Sequence, residues 1–277
     1  MSIIIALDLG TTGNRAIAFN EKGVIVDQVY QEFPQYFPKE AWVEQNPMEI
    51  WNSTNHVLQT LLGKIDRSEV KAIGITNQRE TTILWDKHTG NPVHNAIVWQ
   101  CRRGQSICEK ILNDVSKRTK IINKTGLKPN TFFSGSKLKW IYDEKEEIRR
   151  KIDNGEILFG TIETYLIYRL TNMKSYVSDT TNASRTLLFN CLTNEWDQEL
   201  LNIFDIKKIK LPKVINSSNI FGESNFNKIF NKIIPIIGVA GDAQASFFAN
   251  FCFNKGDTKI TTGTGFNIQT NIGNEMF

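Results

Sequence analysis

The segment Ile3–Asn14 reads IIIALDLGTTGN, and it is the stretch that decides the fold class. Its apolar start is typical of a buried strand, and the polar, glycine-rich turn after Leu7 ends that strand. Residues Arg15–Phe19 resume the strand pattern, Asn20–Gly23 form a second turn, and Val24–Tyr30 form a third strand. The opening therefore predicts a β-meander with a polar first turn.

The chain beyond the meander alternates between helical and strand patterns. Apolar residues recur at helical spacing in one early segment, with Asn46 placed as its N-cap before a proline. Strands, then a helix, then strands indicate a mixed sheet flanked by helices. The predicted helices are Pro47–Leu62, Lys137–Tyr142, Ile162–Leu170 and Ala243–Phe251, and the further strands are Val70–Ile75, Thr81–Trp85, Pro235–Ala240 and Thr258–Thr262.

Composition excludes several classes of protein. The 277 residues are 40% hydrophobic and 22% charged, which is typical of a soluble globular protein, and the net charge of +4 is too small for a nucleic-acid binder. No apolar run is long enough to span a membrane, and Asp8 interrupts the opening run, so it is not a signal peptide. The four cysteines have neither C-x-x-C nor zinc spacing, which predicts free thiols in a reducing, cytoplasmic setting.

The first turn carries the residues of an anion site. Asp8, Gly10, Thr11 and Thr12 place a carboxylate, flexible backbone N–H groups and hydroxyls together at the end of a strand. Such a turn binds phosphate, and its aspartate can reach a Mg²⁺ ion that the phosphates hold. An ordinary hairpin turn, in which the aspartate bonds its own backbone, explains this motif about equally well.

Five further stretches carry a family resemblance. They are Gly74–Thr82, Ala96–Arg103, Phe132–Glu144, Asp179–Thr186 and Gly241-Asp242-x-Gln244-Ala245. In this order they resemble the FGGY family of carbohydrate kinases and, within it, the glycerol kinases. The DLGTT opening is similar to that of 70-kDa chaperones too, but the chain lacks their second, GGGTF-type phosphate loop.

The resemblance implies a fold, a domain division and an activity. The fold is an α/β fold of the ribonuclease-H-like, actin-like type, with a first domain over 1–250 and the start of a second over 251–277. The implied activity is ATP- and Mg²⁺-dependent phosphorylation of glycerol, with Asp242 as general base. The implied polyol-binding residues are Arg79, Glu80, Trp99, Phe132 and Ala243, the ATP-binding residues are Thr11, Thr12, Gly13, Arg15 and Thr264, and Asp8 is implied to lie near Mg²⁺.

Each implied role has a structural alternative. Asp242 precedes a predicted helix, where an aspartate is favoured simply as an N-cap. Arg79 and Glu80 are equally consistent with a solvated charge pair at a strand end, and Trp99 with a core tryptophan. The oligomeric state is not fixed by these motifs, and a homo-oligomer stays open.

Three positions depart from the glycerol kinase pattern. Phe132 stands where a tyrosine is usual, Ala243 where a glutamine is usual, and Asn267 where an aromatic residue is usual. Two lost hydrogen bonds of about 0.5–1.5 kcal/mol each predict glycerol binding weaker by roughly one to two orders of magnitude. The alternatives are therefore an FGGY kinase for another polyol or a ketose, or an inactive truncated remnant.

The end of the chain repeats features of its beginning. Strand Thr258–Thr262 leads into Gly263-Thr264-Gly265, as the first strand leads into its glycine-threonine turn. This faint similarity is what the start of a duplicated domain would show. We expect the 277 residues alone to have little kinase activity. The segment Asn225–Lys232, rich in asparagine and lysine, is predicted to be a surface loop.

Overall fold

The computed structural model describes residues 2–226, 228–262 and 266–274. The strands are β1 (Ile3–Leu9), β2 (Gly13–Asn20), β3 (Ile25–Glu32), β4 (Glu44–Gln45), β5 (Val70–Asn77), β6 (Ile83–Asp86), β7 (Ala96–Ile97), β8 (Ile157–Gly160), β9 (Val177–Asp179), β10 (Phe189–Asn190), β11 (Glu195–Trp196), β12 (Lys213–Ile215), β13 (Ser218–Ser224), β14 (Ile234–Gly241), β15 (Thr258–Thr262) and β16 (Phe266–Thr270). The helices are α1 (Pro47–Leu62), α2 (Gln105–Asn113), α3 (Val115–Thr125), α4 (Ser134–Glu144), α5 (Glu146–Asp153), α6 (Ile162–Leu170), α7 (Thr180–Ala183), α8 (Gln198–Ile203) and α9 (Asp242–Ala249).

A six-stranded mixed sheet organises the chain, in the order β13-β14-β5-β1-β2-β3. The predicted meander forms its right half, since β1 pairs antiparallel with β2 and β2 antiparallel with β3. The middle strands β14, β5 and β1 run parallel to one another. The mixed sheet flanked by helices that the sequence predicts is confirmed.

The period-two pattern of β1 builds the main core. Ile3, Ile5, Leu7 and Leu9 are all buried, while the residues between them are not. Burying side chains of this size stabilises the fold by about 1.5–3 kcal/mol each. Helix α1 covers β2 and β3. It starts as predicted, because the Asn46 side chain accepts a hydrogen bond from the Met48 backbone N–H at 2.9 Å.

A second hydrophobic cluster lies among the helices of the middle of the chain. It contains buried residues of α2, α3, α4, α5 and α8 together with the strand pair β6–β8. These elements carry the loops around Trp99 and Phe132. The polyol-binding candidates Trp99 and Phe132 are therefore positioned by their packing against this second cluster.

Most predicted elements are present with shifted ends. The strand predicted over Thr81–Trp85 is Ile83–Asp86, and the helix predicted over Ala243–Phe251 is Asp242–Ala249. The prediction of a surface loop over Asn225–Lys232 is wrong in one respect. Phe226 and Phe230 are 1% and 2% exposed and pack into the main core, because their rings contact each other and the sheet.

Candidate active site

The parallel strands bring three sequence motifs to one edge of the sheet. In the ladder, Asp8 of β1 lies opposite Thr76 of β5, and Thr76 lies opposite Ala240 of β14. The segments that follow these strands are the glycine-threonine turn, the Arg79-Glu80 pair and Asp242. Carboxyl ends of parallel strands are where open α/β sheets bind their ligands.

The first turn is held open toward solvent. The backbone N–H of Gly10 donates to the Gly13 carbonyl at 3.0 Å, and Thr12 and Arg15 are exposed beyond it. Gly13 has no room for a side chain, because a Cβ there would lie 2.5 Å from the Gln31 carbonyl oxygen. The turn therefore exposes a hydroxyl and a guanidinium at this edge of the sheet, and its binding of phosphate stays a prediction.

Asp8 is the acidic residue of this edge. Partial burial raises the pKa of Asp8, the neighbouring Arg15 opposes that rise, and the carboxylate of Asp242 adds to it. Magnesium is held in proteins by one or two carboxylates together with phosphate oxygens and water. The carboxylate of Asp8 therefore has the chemistry to hold the ion that the family resemblance implies.

Two glutamines tie the first turn to the second strand end. Gln78 donates to the Gly10 carbonyl at 3.0 Å and to the side-chain oxygen of Gln45 at 3.0 Å. Gln45 in turn donates to the Thr11 carbonyl at 2.7 Å. Both glutamines are buried. A buried amide without hydrogen-bond partners is destabilising, so this bonded pair holds the first turn in one conformation.

Arg79 connects the second and third strand ends. Its Nε lies 3.0 Å from Oδ1 of Asp242, and its Nη1 donates to the side-chain oxygen of Gln244 at 3.2 Å. The side chain of Asp242 is 51% exposed, so its carboxylate faces the open cleft. Gly241 makes this approach feasible, because a Cβ there would lie 2.6 Å from the Arg79 side chain.

Glu80 is buried and conformationally strained. Its side chain is 2% exposed, and its backbone φ of 60° is unusual for any residue except glycine, asparagine or aspartate. The Arg185 Nε donates to its carboxylate at 2.7 Å. Burial raises the pKa of Glu80, and Arg185 followed by Arg79 counteracts that rise. The solvated charge pair considered for Arg79 and Glu80 does not describe a residue this deeply buried.

An aromatic pair forms the wall beside this cleft. The rings of Trp99 and Phe132 have centroids 5.2 Å apart, and the Trp99 Nε1 donates to the Thr11 hydroxyl at 3.0 Å. The fully buried Lys137 ammonium donates to the carbonyls of Thr131, Phe132 and Phe133 at 2.7, 2.6 and 3.2 Å. Burial lowers the pKa of Lys137 to about 7. The lysine therefore fixes the loop that carries Phe132.

The remaining predicted residues have different placements. Ala243 is half-buried, and its backbone N–H donates to Oδ1 of Asp242 at 2.7 Å. Asn267 is exposed on β16, which pairs with β15 in a sheet separate from the central one. The prediction for Thr264 lies outside the described residues. Within the part of the chain that the structure covers, no group of three or more His, Cys, Asp or Glu side chains is arranged to hold a metal ion.

Comparison with known proteins identifies the family. A model of the FGGY family of carbohydrate kinases, N-terminal domain, matches residues 3–249.

The chain belongs to the FGGY family of carbohydrate kinases.

Relatives of this FGGY chain include glycerol kinases. The glycerol kinase of Clostridium botulinum is 47% identical over 275 residues, which are 99% of this chain and 55% of that protein. The glycerol kinase of Leptospira biflexa is 47% identical with the same coverage. The chain thus spans about half the length of the curated relatives it matches.

Solved structures confirm the actin-like α/β fold of the FGGY chain. A Plasmodium falciparum glycerol kinase with ADP superposes with a TM-score of 0.90 at 34% identity, over 97% of this chain and 54% of that one. A xylulose kinase from Lactobacillus acidophilus superposes with a TM-score of 0.88 at 27% identity, over 98% and 54%. No helix among the described residues is both long and apolar enough to cross a membrane.

Sequence reasoning about this FGGY chain missed some site residues. Arg185 lies within the quoted stretch Asp179–Thr186, but nothing local links it to Glu80, which is 105 residues away. Gln45 gave no signal, because an isolated glutamine in a loop carries no pattern. The position of Arg185 inside a hydroxyl-rich stretch that resembles the family was the hint that the sequence offered of a buried ion pair.

Proposed function

We propose that the polypeptide containing this chain transfers the γ-phosphoryl group of ATP to a hydroxyl of glycerol. The observation that carries the proposal is the meeting of Asp8, Arg79 and Asp242 at the carboxyl ends of three parallel strands. An anion-binding turn, a cationic bridge and an accessible carboxylate are the parts that in-line phosphoryl transfer requires.

Asp242 acts as the general base. It is the first residue of α9 and directly follows the strand end that carries Gly241. The guanidinium of Arg79, 3.0 Å from its Oδ1, limits where the carboxylate points. An exposed, ionised carboxylate of this kind accepts the proton that leaves the attacking hydroxyl.

The polyol lies between the charged and the aromatic walls. Arg79 donates to its hydroxyl oxygens, and Glu80 accepts from its O–H groups. Trp99 and Phe132 pack against the carbon skeleton, and Ala243 borders the site beside the base.

ATP binds at the first turn. The phosphates are held by Thr11, Thr12, Gly13 and Arg15, and Thr264 is a fifth candidate. Asp8 holds Mg²⁺, which neutralises phosphate charge when it is bound.

We propose that the domain boundary lies near residue 250, where the family match ends at 249. The surface at this boundary is apolar: a hollow of about 850 Å³ adjoins α9, and Phe248, Phe251 and Phe253 are 70%, 76% and 54% exposed. The relatives have another half that this chain does not span. We therefore expect the 277 residues to have little activity alone. The free thiols predicted from the cysteine spacing are the separate reason for proposing that the whole protein is cytoplasmic.

A second candidate substrate is another polyol or a ketose. The phenyl ring of Phe132 stands against Trp99 and offers no hydroxyl to a glycerol molecule. Weaker glycerol binding, by about ten- to hundredfold, follows from the loss of two hydrogen bonds.

The test uses a fusion protein in which this chain is followed by the part of the Clostridium botulinum glycerol kinase that it does not span. A coupled ADP-release assay compares glycerol, longer polyols and ketoses. We expect polyol-dependent ADP release that Asp242→Asn lowers by about 10²–10⁴. ADP release that does not depend on any polyol, or turnover that is unchanged in Asp242→Asn, would refute the proposed function. Glycerol affinity equal to that of the Clostridium parent would refute the altered preference alone.

A further inference from the structure

A buried carboxylate lies directly behind the proposed base. Asp179 ends β9 and is fully buried, and among the described residues no cation pairs with it. It accepts hydrogen bonds from the backbone N–H groups of Thr181 and Asn182, at 3.0 and 3.1 Å. It also accepts from the side chains of Thr181, Asn182 and Ser217, at 2.6, 2.8 and 2.7 Å. Five hydrogen-bond donors therefore surround this one buried carboxylate and fix the positions of its two oxygens.

The hydroxyl of Thr181 transmits this carboxylate's orientation to the base loop. The same oxygen that donates to Asp179 accepts the backbone N–H of Gly241 at 2.8 Å. A hydroxyl has one proton, a carboxylate only accepts and a backbone N–H only donates. The direction of both hydrogen bonds is therefore fixed, and Asp179 holds the hydroxyl in the orientation that receives Gly241.

Gly241 is the residue on which the base depends. It ends β14, caps α9 and immediately precedes Asp242. The Asp242 side chain is half exposed, and Arg79 is the cation that contacts it. The backbone of Gly241 sets where the main chain of Asp242 begins, and Thr181 holds the N–H of Gly241.

The same carboxylate reaches the substrate stretch by a second route. The side chains of Asn182 and Asn77 exchange two hydrogen bonds, each 3.0 Å long, and Asn182 also donates to Asp179. Asn77 ends β5, and Arg79 and Glu80 follow two and three residues later. One buried group therefore braces both the base loop and the polyol-binding segment.

We infer that Asp179, acting through Thr181 and Asn182, is a positioning residue that fixes the proposed base against the polyol-binding pair. The inference rests on the proposed function for its catalytic consequence, but the bracing of Gly241 is a property of the chain itself. Thr181→Val removes the relay while keeping the side chain's shape. Thr181→Ser keeps the hydroxyl and is the matched control.

The first readout is independent of activity. The 277-residue chain is labelled with ¹⁵N-glycine, and amide hydrogen exchange is followed at Gly241 and at Gly238 of the same strand. We expect exchange at Gly241 to accelerate by at least about tenfold in Thr181→Val, with Gly238 and Thr181→Ser unchanged. Unchanged exchange at Gly241 in Thr181→Val would overturn the inference, whatever the activity of the enzyme. Acceleration at both glycines would reduce Thr181 to a general stabilising role.

The second readout uses the fusion protein and separates positioning from stability. We expect Thr181→Val to lower kcat by about ten- to hundredfold with a change of less than about threefold in polyol KM, and Thr181→Ser to restore kcat. Asp179→Ala removes both acceptor oxygens and with them both routes, so we expect it to lower kcat as Thr181→Val does and to raise the polyol KM as well. A fully active Thr181→Val fusion refutes the positioning role, whereas an inactive wild-type fusion refutes the proposed function and leaves the exchange result to decide.

Discussion

Replacing Arg185 by methionine tests the buried ion pair with Glu80. The change keeps much of the side chain's length but removes the Nε that lies 2.7 Å from the Glu80 carboxylate. A hydrogen bond to a charged group is worth about 1.5–3 kcal/mol, and Arg185 is only 22% exposed, so little of this is lost to solvent screening. Arg79 still lowers the pKa of Glu80 in the variant, which keeps the cost below that of an isolated buried charge.

The cost of Arg185→Met should depend on pH. Burial raises the pKa of Glu80 above its unfolded value, so the folded state binds the proton more tightly. Stability contributed by this group is therefore present below the unfolded pKa of 4.5 and is lost as pH rises through the folded pKa. Removing Arg185, the strongest opposing charge, raises that pKa further, and each added pKa unit costs about 1.36 kcal/mol at high pH.

The assay is urea unfolding of both proteins at about pH 5 and pH 8. We expect a difference in unfolding free energy of about 1.5–3 kcal/mol at pH 8 that shrinks toward pH 5. The part that remains at low pH reports the lost contact of the guanidinium with the Phe133 ring, 4.9 Å away. A difference that is the same at both pH values, or a Glu80→Gln, Arg185→Met double variant whose cost equals the sum of the singles, would refute the reasoning.

Further predictions concern the close approach at Gly241, the altered pocket and the buried lysine. Gly241→Ala should destabilise the chain by about 1–3 kcal/mol in urea unfolding, because its Cβ would lie 2.6 Å from the Arg79 side chain. Gly238→Ala is the matched control, since its Cβ would meet nothing nearer than 3.9 Å, and an equal cost in both would contradict the steric argument. Phe132→Tyr should lower the glycerol KM of the fusion protein by up to about tenfold, and an unchanged KM would place the ring away from the polyol. Lys137→Met should cost at least about 2 kcal/mol, because buried carbonyls lose their donor, and a near-neutral effect in urea unfolding would mean that water replaces the ammonium.

Local sequence patterns are sufficient to predict the first strand and the first helix of the fold. The alternation in β1 and the Asn46 cap of α1 follow from residues within a few positions of one another. The family-like order of the motifs then placed Asp8, Arg79 and Asp242 among the site candidates, and the parallel ladder brings their strands together. The roles of these residues stay predictions.

The contacts that complete the site depend on long-range packing. The bond between Arg185 and Glu80 joins residues 105 positions apart, and that between Gly241 and Thr181 joins residues 60 apart. The burial of Phe226 and Phe230 was hidden in the same way, because the segment around them is rich in asparagine and lysine. No local pattern in a single sequence specifies such pairs.

The left-handed backbone of Glu80 affects which substitutions selection for stability would favour at this position. Folding alone disfavours a glutamate there, since its φ of 60° costs about 1–3 kcal/mol and its carboxylate is buried. In a library selected only for thermal resistance, we expect Glu80 to be replaced early by asparagine or glycine. Such variants would lose the proposed polyol-binding carboxylate. A glutamate at a position where its backbone and its burial both oppose folding is what selection for chemistry, rather than for folding, would leave in the sequence.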